Sequence, residues 1–142
     1  WLLAFSMFLF TSLAFSKRHA ELSRLANESS SGDETVAARR GYRVSDIGSV
    51  EVMGPVAGYM SVLVFALYIN RDGREEFYTY TWPLWIIALL LLYWISRLWL
   101  LARRGELPED PVIFAVTDPV SLLVALLVGA MAVVAAAPWA AG

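Results

Sequence analysis

Long apolar stretches alternate with short charged blocks along the 142-residue chain. The apolar segments are residues 1–16, 52–69, 77–102 and 119–140. Most of them approach or exceed the ~20 residues that a helix needs to cross a bilayer. They also lack the continuous polar stripe of a helix on the surface of a soluble globule. The pattern therefore predicts an all-α integral membrane protein with four transmembrane helices.

The first apolar segment begins at Trp1, in the middle of a hydrophobic run. It is shorter than the ~20 residues of a spanning helix, and no charged region precedes it as in a signal peptide. We therefore expect the chain to be the C-terminal portion of one membrane domain in a longer protein.

Aromatic residues and glycines agree with membrane helices. Trp and Tyr collect at the two membrane interfaces, and aromatic residues cluster near both ends of the third segment: Tyr78, Tyr80, Trp82, Trp85, Tyr93, Trp94 and Trp99. Gly54 and Gly58 have the small-xxx-small spacing that permits close packing of helices.

Basic residues are divided unevenly between the predicted loops. Two of them, Arg71 and Arg74, lie between the second and third segments. Nine lie in or beside loops 17–51 and 103–118: Lys17, Arg18, Arg24, Arg39, Arg40, Arg43, Arg97, Arg103 and Arg104. Because Lys and Arg accumulate in cytoplasmic loops, both loops are predicted to be cytoplasmic. The protein is expected to be multi-pass in the cell inner (plasma) membrane.

The composition narrows the function further. The chain is 58% hydrophobic and 17% charged, and it has no cysteine. The absence of cysteine excludes a disulfide framework and a thiolate metal site within this chain. A net charge of −2 implies no basic surface for nucleic acid. The lipid bilayer is the expected partner, and nucleic acid is not.

A dense cluster of mixed charge follows the first segment. On a continuing helix, Lys17, Glu21 and Arg24 fall at i, i+4 and i+7 on one face, with Arg18 beside it. A plain interpretation is an interfacial anchor in which Glu21 pairs with the cations. A functional one is an anion pocket at the membrane surface, in which cations neutralise a phosphate and Glu21 orients them or touches a metal ion.

A second block, "RRGYRVSD", precedes the second segment and contains Arg39, Arg40, Tyr42, Arg43 and Asp46. Anchoring of the next span accounts for the arginines. It accounts less well for the tyrosine and the aspartate. Since Arg grips phosphate bidentately, this block is also a candidate for binding an anionic head group.

A third group lies around the last two segments. Arg97 stands inside an apolar run, where an arginine either snorkels to the surface or faces a polar cavity between helices. Asp118 precedes the last segment and is a predicted N-cap. The acidic Glu106 and Glu109 are expected to be solvated. His19 is the only histidine, so a histidine-rich metal site is excluded.

Three stretches carry a family likeness: "FLFTSLAFSKRHAELSRL", "RRGYRVSDI" and "YWISRLWLLARRGELPEDPVIFAVTD". They resemble the C-terminal part of the UbiA prenyltransferase superfamily, and most of all the branch that includes decaprenyl-phosphate phosphoribosyltransferase. The resemblance implies a UbiA-type bundle of membrane helices. Its active site would be a cavity open to the cytoplasm, and its substrate a polyprenyl phosphate or diphosphate lipid.

The resemblance also implies site residues and a metal. Family members bind substrate phosphates through Mg²⁺ held by Asp-rich motifs, and "KRHAE" stands here in place of the second, DxxxD. Lys17 and Glu21 are thereby implied as catalytic. The implied phosphate-binding residues are Arg18, Arg40, Tyr42 and Arg43. The implied metal ligands are Glu21, Asp46 and Asp118. The lipid tail is expected in an apolar groove lined by residues such as Phe8, Phe15 and Tyr59.

The reaction implied by this branch is transfer of a phosphoribosyl group from phosphoribosyl diphosphate to a polyprenyl phosphate. One alternative is prenyl transfer from a polyprenyl diphosphate to an aromatic acceptor. Another is a non-catalytic membrane transporter component. Without the first Asp-rich motif, the 142-residue chain is expected to be inactive by itself.

Overall fold

The structure, a computed structural model, describes residues 1–29, 43–72, 78–108 and 110–137. This part of the chain is helical and contains no strand, which confirms the all-α prediction. A 3-10 turn, Val44–Asp46, precedes the second helix. The five helices are α1 (Leu2–Ser29), α2 (Ile47–Ile69), α3 (Trp82–Arg103), α4 (Pro111–Thr117) and α5 (Pro119–Ala136).

Three of these helices are long and apolar enough to cross a membrane, namely α2, α3 and α5. They contain 23, 22 and 18 residues, which correspond to ~34, ~33 and ~27 Å along the helix axis. The apolar part of α1 ends at Ser16 and covers only ~22 Å, less than the ~30 Å of a hydrocarbon core. The first of the four predicted spans therefore stays a prediction.

Consecutive long helices run antiparallel. The ring of Phe5 lies against that of Phe65, while His19 is bonded to Glu51, so α1 and α2 point in opposite directions. Tyr59 meets Ser96 across α2 and α3. The antiparallel order brings most of the charged residues to one end of the bundle. We call it the basic end, formed by residues 17–29, 43–51, 97–108 and 110–118, because it holds seven of the eight Lys and Arg residues that the structure describes, together with seven carboxylates.

Helix α5 is held against α3 at both of its ends. At the basic end, Arg97 pairs with Asp118. At the opposite end, the backbone N–H groups of Thr79 and Tyr80 donate to the carbonyl oxygen of Ala135, at 2.9 and 3.3 Å. These contacts fix the height of α5 relative to α3.

Two predicted loops are more helical than expected. Helix α1 continues past the apolar run to Ser29, because Ala, Glu, Leu and Arg in this stretch are good helix formers. Helix α4 lies within the predicted loop 103–118, started by Pro111 and by the Asp110 carboxylate, which accepts from the N–H of Val112. The third span begins at Trp82 rather than at residue 77, with Pro83 in its first turn.

The two glycines of the small-xxx-small pair stand where the helices approach most closely. A Cβ at Gly54 would overlap the ring of Trp99, and one at Gly58 would lie 2.5 Å from Ile95 Cγ2 and 2.9 Å from Ser12 Oγ. Side chains from α1 and α3 fill the space that larger residues would need. The glycines thus allow three helices to meet at one level.

Buried apolar side chains form a core at each end. The core at the basic end consists of Leu22, Val50, Ile95, Leu98, Trp99, Ala102, Leu107 and Phe114. The core at the opposite end consists of Ile69, Leu84, Ile87, Ala88 and Ala135. The first core joins α1, α2, α3 and α4, so it sets the positions of the charged side chains around it.

Large apolar side chains also cover much of the outer surface. On α5 the exposed ones are Leu122, Leu123, Leu126, Leu127 and Val133, and on α2 they include Val52, Met53, Val56 and Leu63. Apolar patches of this extent are not tolerated on monomeric soluble proteins. The apolar helices identify the protein as one that associates with a lipid bilayer.

Candidate functional site at the basic end

Helix α1 presents two different faces where it emerges from its apolar part. Ser12, Ser16 and His19 are buried against α2 and α3, with 1%, 0% and 3% of their surface exposed. Lys17 is exposed, and Arg18 is partly so. Because residues two apart on a helix lie on nearly opposite sides, burial of His19 turns Lys17 outward.

The charged cluster after the apolar part of α1 contains two separate ion pairs. Arg18 donates to Glu21 Oε2 at 2.6 Å, and Arg24 lies 3.4 Å from Glu28 Oε1. The side chains of Arg18 and Glu21 are 22% and 35% exposed, whereas those of Arg24 and Glu28 are more than half exposed. The pair at Arg18 is therefore the more enclosed of the two.

A pocket of about 210 Å³ lies against this part of α1. The described residues that line it are Thr11, Ala14, Phe15 and Arg18, which lie on one face of the helix at i, i+3, i+4 and i+7. Phe15, predicted to line a lipid-tail groove, supplies its largest apolar side chain. The guanidinium of Arg18 stands at the charged end of the same face, so the pocket combines an apolar wall with a cation.

The structure describes only part of the second predicted block. Arg40 and Tyr42 lie outside the described residues. Arg43 directly precedes the 3-10 turn and Asp46 is its last residue, and this turn packs against α1. The N–H of Arg43 donates to Asp46 Oδ2 at 2.7 Å, so one oxygen of this carboxylate holds the turn. Lys17 and Arg43 lie at the same end of the bundle.

Asp118 is occupied by hydrogen-bond donors on both oxygens. Its Oδ2 accepts from Arg97 Nη1 at 2.6 Å and from the N–H and hydroxyl of Ser121 at 2.8 and 2.9 Å. Its Oδ1 accepts from Arg97 Nη2 at 3.1 Å. The hydrogen bonds from Arg97, followed by those from Ser121, lower the pKa of the Asp118 carboxyl from 3.8 to about 2. Asp118 caps α5 as predicted, and this arrangement leaves its carboxylate little capacity for a metal ion.

Arg97 is held by a second contact besides Asp118. Its guanidinium lies 5.6 Å from the centre of the Phe114 ring, within the range of a cation–π interaction. Together these contacts join α3, α4 and the start of α5. The arginine inside the apolar run therefore pairs within the protein.

The predicted metal ligands do not converge. Glu21 pairs with Arg18, Asp46 holds its own turn, and Asp118 caps α5. Within residues 1–29, 43–72, 78–108 and 110–137, no three His, Cys, Asp or Glu side chains come close enough to hold a metal ion. These residues do not fit a closed Mg²⁺ site by themselves, and the Mg²⁺ prediction stays a prediction.

One polar contact at this end, between His19 and Glu51, was not predicted from the sequence. His19 Nε2 lies 2.9 Å from Glu51 Oε1 on α2, and Glu51 Oε2 lies 3.7 Å from Arg103 Nε on α3. The ring of His19 also meets Trp99 edge-on, with centroids 6.2 Å apart. The sequence does carry a signal for the burial of His19. Ser12, Ser16 and His19 are spaced at i, i+4 and i+7, which places three polar residues along one face of an apolar helix.

Two curated relatives match most of this chain. It is 32% identical over 137 residues, or 95% of its length, to the uncharacterized protein y4nM of Sinorhizobium fredii. It is also 32% identical over 121 residues, or 85% of its length, to the nodulation protein NoeC of Azorhizobium caulinodans. The matched regions make up 26% of y4nM and 38% of NoeC. The chain therefore spans about a quarter of the first relative and about two-fifths of the second.

No protein-family model matches the chain. No solved structure matches it either. Membership of the UbiA superfamily therefore stays a prediction from the three quoted stretches.

Proposed function

We propose that the chain is the membrane-embedded part of a transferase that acts on a polyprenyl phosphate or diphosphate. The favoured reaction is transfer of a phosphoribosyl group from phosphoribosyl diphosphate to a polyprenyl phosphate. The active face is the basic end, on the cytoplasmic side of the inner membrane. The observation that carries this proposal is the pocket on α1, where an apolar wall ends at the cation of Arg18.

An amphiphilic phosphate needs this combination of surfaces. The hydrocarbon tail is stabilised where it is kept out of water, and Phe15 and Ala14 offer an apolar surface for it. The phosphate needs cations near the membrane surface, and Lys17 and Arg18 supply them directly beyond the apolar part of α1. Arginine also matches phosphate oxygens bidentately.

The chemistry requires stabilisation of negative charge more than it requires proton transfer. An oxygen of the lipid phosphate forms a bond to the anomeric carbon, and the bond from that carbon to diphosphate breaks. Diphosphate leaves with the electron pair, and fixed cations stabilise the developing charge. Lys17 and Arg18 fill this role in the proposal. Glu21, 2.6 Å from Arg18 Nη1, orients the guanidinium.

Mg²⁺ is part of the family likeness and supplies Lewis-acid stabilisation of phosphate charge when bound. Glu21 is the described carboxylate nearest to the proposed phosphate site. Neither formation of the bond to the anomeric carbon nor departure of diphosphate is assigned to the ion in this proposal.

The transporter interpretation is less well supported. Transporters place ionisable groups and broken helices near the middle of the bilayer. The charged residue deepest in an apolar helix is Arg97, and it is paired with Asp118 at the basic end. In the described residues, the ion pairs of α1, α2 and α3 also lie at this end. This distribution suits a reaction at the membrane surface.

The test is a transfer assay on the full-length protein in proteoliposomes, with labelled phosphoribosyl diphosphate and a polyprenyl phosphate. Lys17→Ala and Arg18→Ala are expected to lower turnover by about 100-fold, the usual cost of removing an electrostatic stabiliser. Arg71→Ala is the matched control, because it removes an exposed arginine at the opposite end. Turnover by both variants at the rate of Arg71→Ala would contradict the assigned site.

A further inference from the structure

Helix α4 has an apolar outer face that no described residue covers. Val112, Ile113 and Val116 are 59%, 54% and 61% exposed. The helix carries no charged residue. Its inner face is occupied, since Phe114 belongs to the core at the basic end. A connecting segment in water would be expected to expose polar residues instead.

The depth of α4 follows from two contacts between α3 and α5. Asp118 and Ser121, at the start of α5, bind Arg97 and Trp94 of α3. Arg97 and Trp94 precede Arg103, the last residue of α3, by six and nine positions, or by ~9 and ~14 Å along the axis. Both contacts place the start of α5 ~10 Å below the end of α3.

Helix α4 lies within this difference in height. Asp118 alone separates it from α5, and the ring of Phe114, in the middle of α4, lies 5.6 Å from the Arg97 guanidinium. Helix α4 is therefore at the level of the last two to three turns of α3. The ~33 Å length of α3 exceeds the ~30 Å hydrocarbon core by ~3 Å, so the end of α3 lies ~1–2 Å beyond the core. The level of α4 therefore includes the boundary with the head groups and the upper ~8 Å of the acyl chains.

We propose that α4 is an interfacial membrane helix, whose face of Val112, Ile113 and Val116 is inserted among lipid head groups and upper acyl chains. Helices at this level bury an apolar face ~5–10 Å into the boundary, which agrees with the ~8 Å depth of Asp118 below the boundary. The pairing of Arg97 with Asp118 fixes that depth, because it ties the end of α4 to a defined level of α3. The partner of this surface is the lipid bilayer.

This role does not depend on the proposed reaction. A helix held at the head-group level would contact lipid whether the protein transfers groups or not. It would also anchor the connection between two spanning helices, so that α3 and α5 keep their relative height.

The test uses single cysteines in the full-length protein, after replacement of any cysteine outside these 142 residues, which contain none. Ile113→Cys, Val116→Cys and Val112→Cys are labelled with an environment-sensitive fluorophore in liposomes. Lipids carrying a quencher near the head group, lipids carrying one deep in the chain, and aqueous iodide are compared. Two positions serve as references: exposed Glu106→Cys, and Leu126→Cys, which is 69% exposed near the middle of α5.

Labels on α4 are expected to be quenched about twofold more by shallow than by deep lipid quenchers, because an interfacial helix inserts only ~5–10 Å into the boundary. Leu126→Cys should show the reverse order, and Glu106→Cys should respond mainly to iodide. Iodide quenching of the α4 labels equal to that at Glu106→Cys would overturn the proposal. Absence of quenching by all three agents would also overturn it, since a protein segment would then cover the face.

Labels at three positions on α4 show whether a quenching result is specific to one substitution. Each variant is compared with the unlabelled protein by thermal unfolding before its quenching is interpreted. Stronger quenching by head-group quenchers at two or more α4 positions supports the proposal. Iodide quenching like that at Glu106→Cys, or no quenching by any agent, at two positions rejects it.

Discussion

The indole N–H of Trp99 donates to the hydroxyl oxygen of Ser12 at 3.0 Å, across 87 positions of sequence. The same hydroxyl donates to the carbonyl oxygen of Gly54 at 2.8 Å. A single serine therefore connects α1, α2 and α3 inside the bundle. Trp99 is only 3% exposed, so this bond forms away from water, where an unpaired indole N–H would be costly.

Replacement of Ser12 by alanine is expected to destabilise the bundle. Ser12→Ala leaves the Trp99 indole without its acceptor, and we expect a loss of about 1 kcal/mol, typical of buried polar contacts in membrane proteins. Thr11→Ala is the control, since that exposed hydroxyl bonds only the carbonyl of Met7 in its own helix. Thermal unfolding in detergent compares the two, and equal stability would contradict the connecting role of Ser12.

Close packing at Gly54 gives a second prediction. Gly54→Ala places a methyl group into the Trp99 ring, so α2 and α3 must move apart, at a cost of about 1–3 kcal/mol. Gly48→Ala lies in the same helix with nothing within 4 Å. It should be neutral or stabilising by up to about 1 kcal/mol, through helix propensity. Equal effects of the two substitutions on the unfolding midpoint would show that the helices do not meet as described.

The lowered pKa of Asp118 predicts a dependence of stability on pH. A carboxyl with a folded pKa of about 2, against 3.8 ordinarily, stabilises the fold above pH 4 by about 2 kcal/mol. This contribution is lost as the pH falls from about 4 through about 2. Wild type should therefore be more stable than Asp118→Asn at pH 6, and the difference should vanish near pH 2.

Asp72→Asn is the control for this pH dependence, since it removes an exposed carboxylate at the opposite end. Its unfolding midpoint should follow that of wild type at every pH. A constant difference between Asp118→Asn and wild type from pH 6 to pH 2 would disprove the ionised pair with Arg97.

The contact between His19 and Glu51 predicts a further loss of stability. His19 Nδ1 has no hydrogen-bond partner in the described part of the chain, so Glu51→Ala would deprive the buried ring of its contact at Nε2. We expect a cost of about 1–3 kcal/mol. Glu28→Ala removes a carboxylate from a pair more than half exposed and should change stability by less than about 0.5 kcal/mol. Equal losses would refute the buried contact.

The fold could be predicted from the sequence wherever one segment alone determines the outcome. The apolar runs of α2, α3 and α5, the cap at Asp118 and the close spacing of Gly54 and Gly58 are local signals. Continuation of the first helix as far as Arg24 was considered, but residues 17–51 were assigned to a loop and α4 was missed, because charged and short segments carry weak hydrophobic patterns.

The candidate site was less predictable, because it depends on which face of α1 is buried. The sequence places Lys17 and Glu21 on one face, but burial of Ser12, Ser16 and His19 depends on contacts with α2 and α3. Trp99 illustrates the same limit. It was predicted at a membrane interface, yet it is buried because Gly54, 45 positions earlier, leaves room for its ring.

A pairing between distant residues is also invisible in a single sequence. Arg97 and Asp118 were both singled out at apolar boundaries, and the structure joins them over 2.6 Å. The antiparallel packing of α3 and α5 creates this contact. Asp118, a predicted metal ligand, is therefore the ion-pair partner of Arg97.

The proposed transfer reaction is tested most directly by following label from phosphoribosyl diphosphate into lipid. Full-length protein in proteoliposomes is supplied with the labelled donor and a polyprenyl phosphate. Label should enter the lipid phase with release of one diphosphate per transfer. If no label enters the lipid while a prenyl group moves from its diphosphate to an aromatic acceptor, or while solute flux occurs without transfer, the account is contradicted.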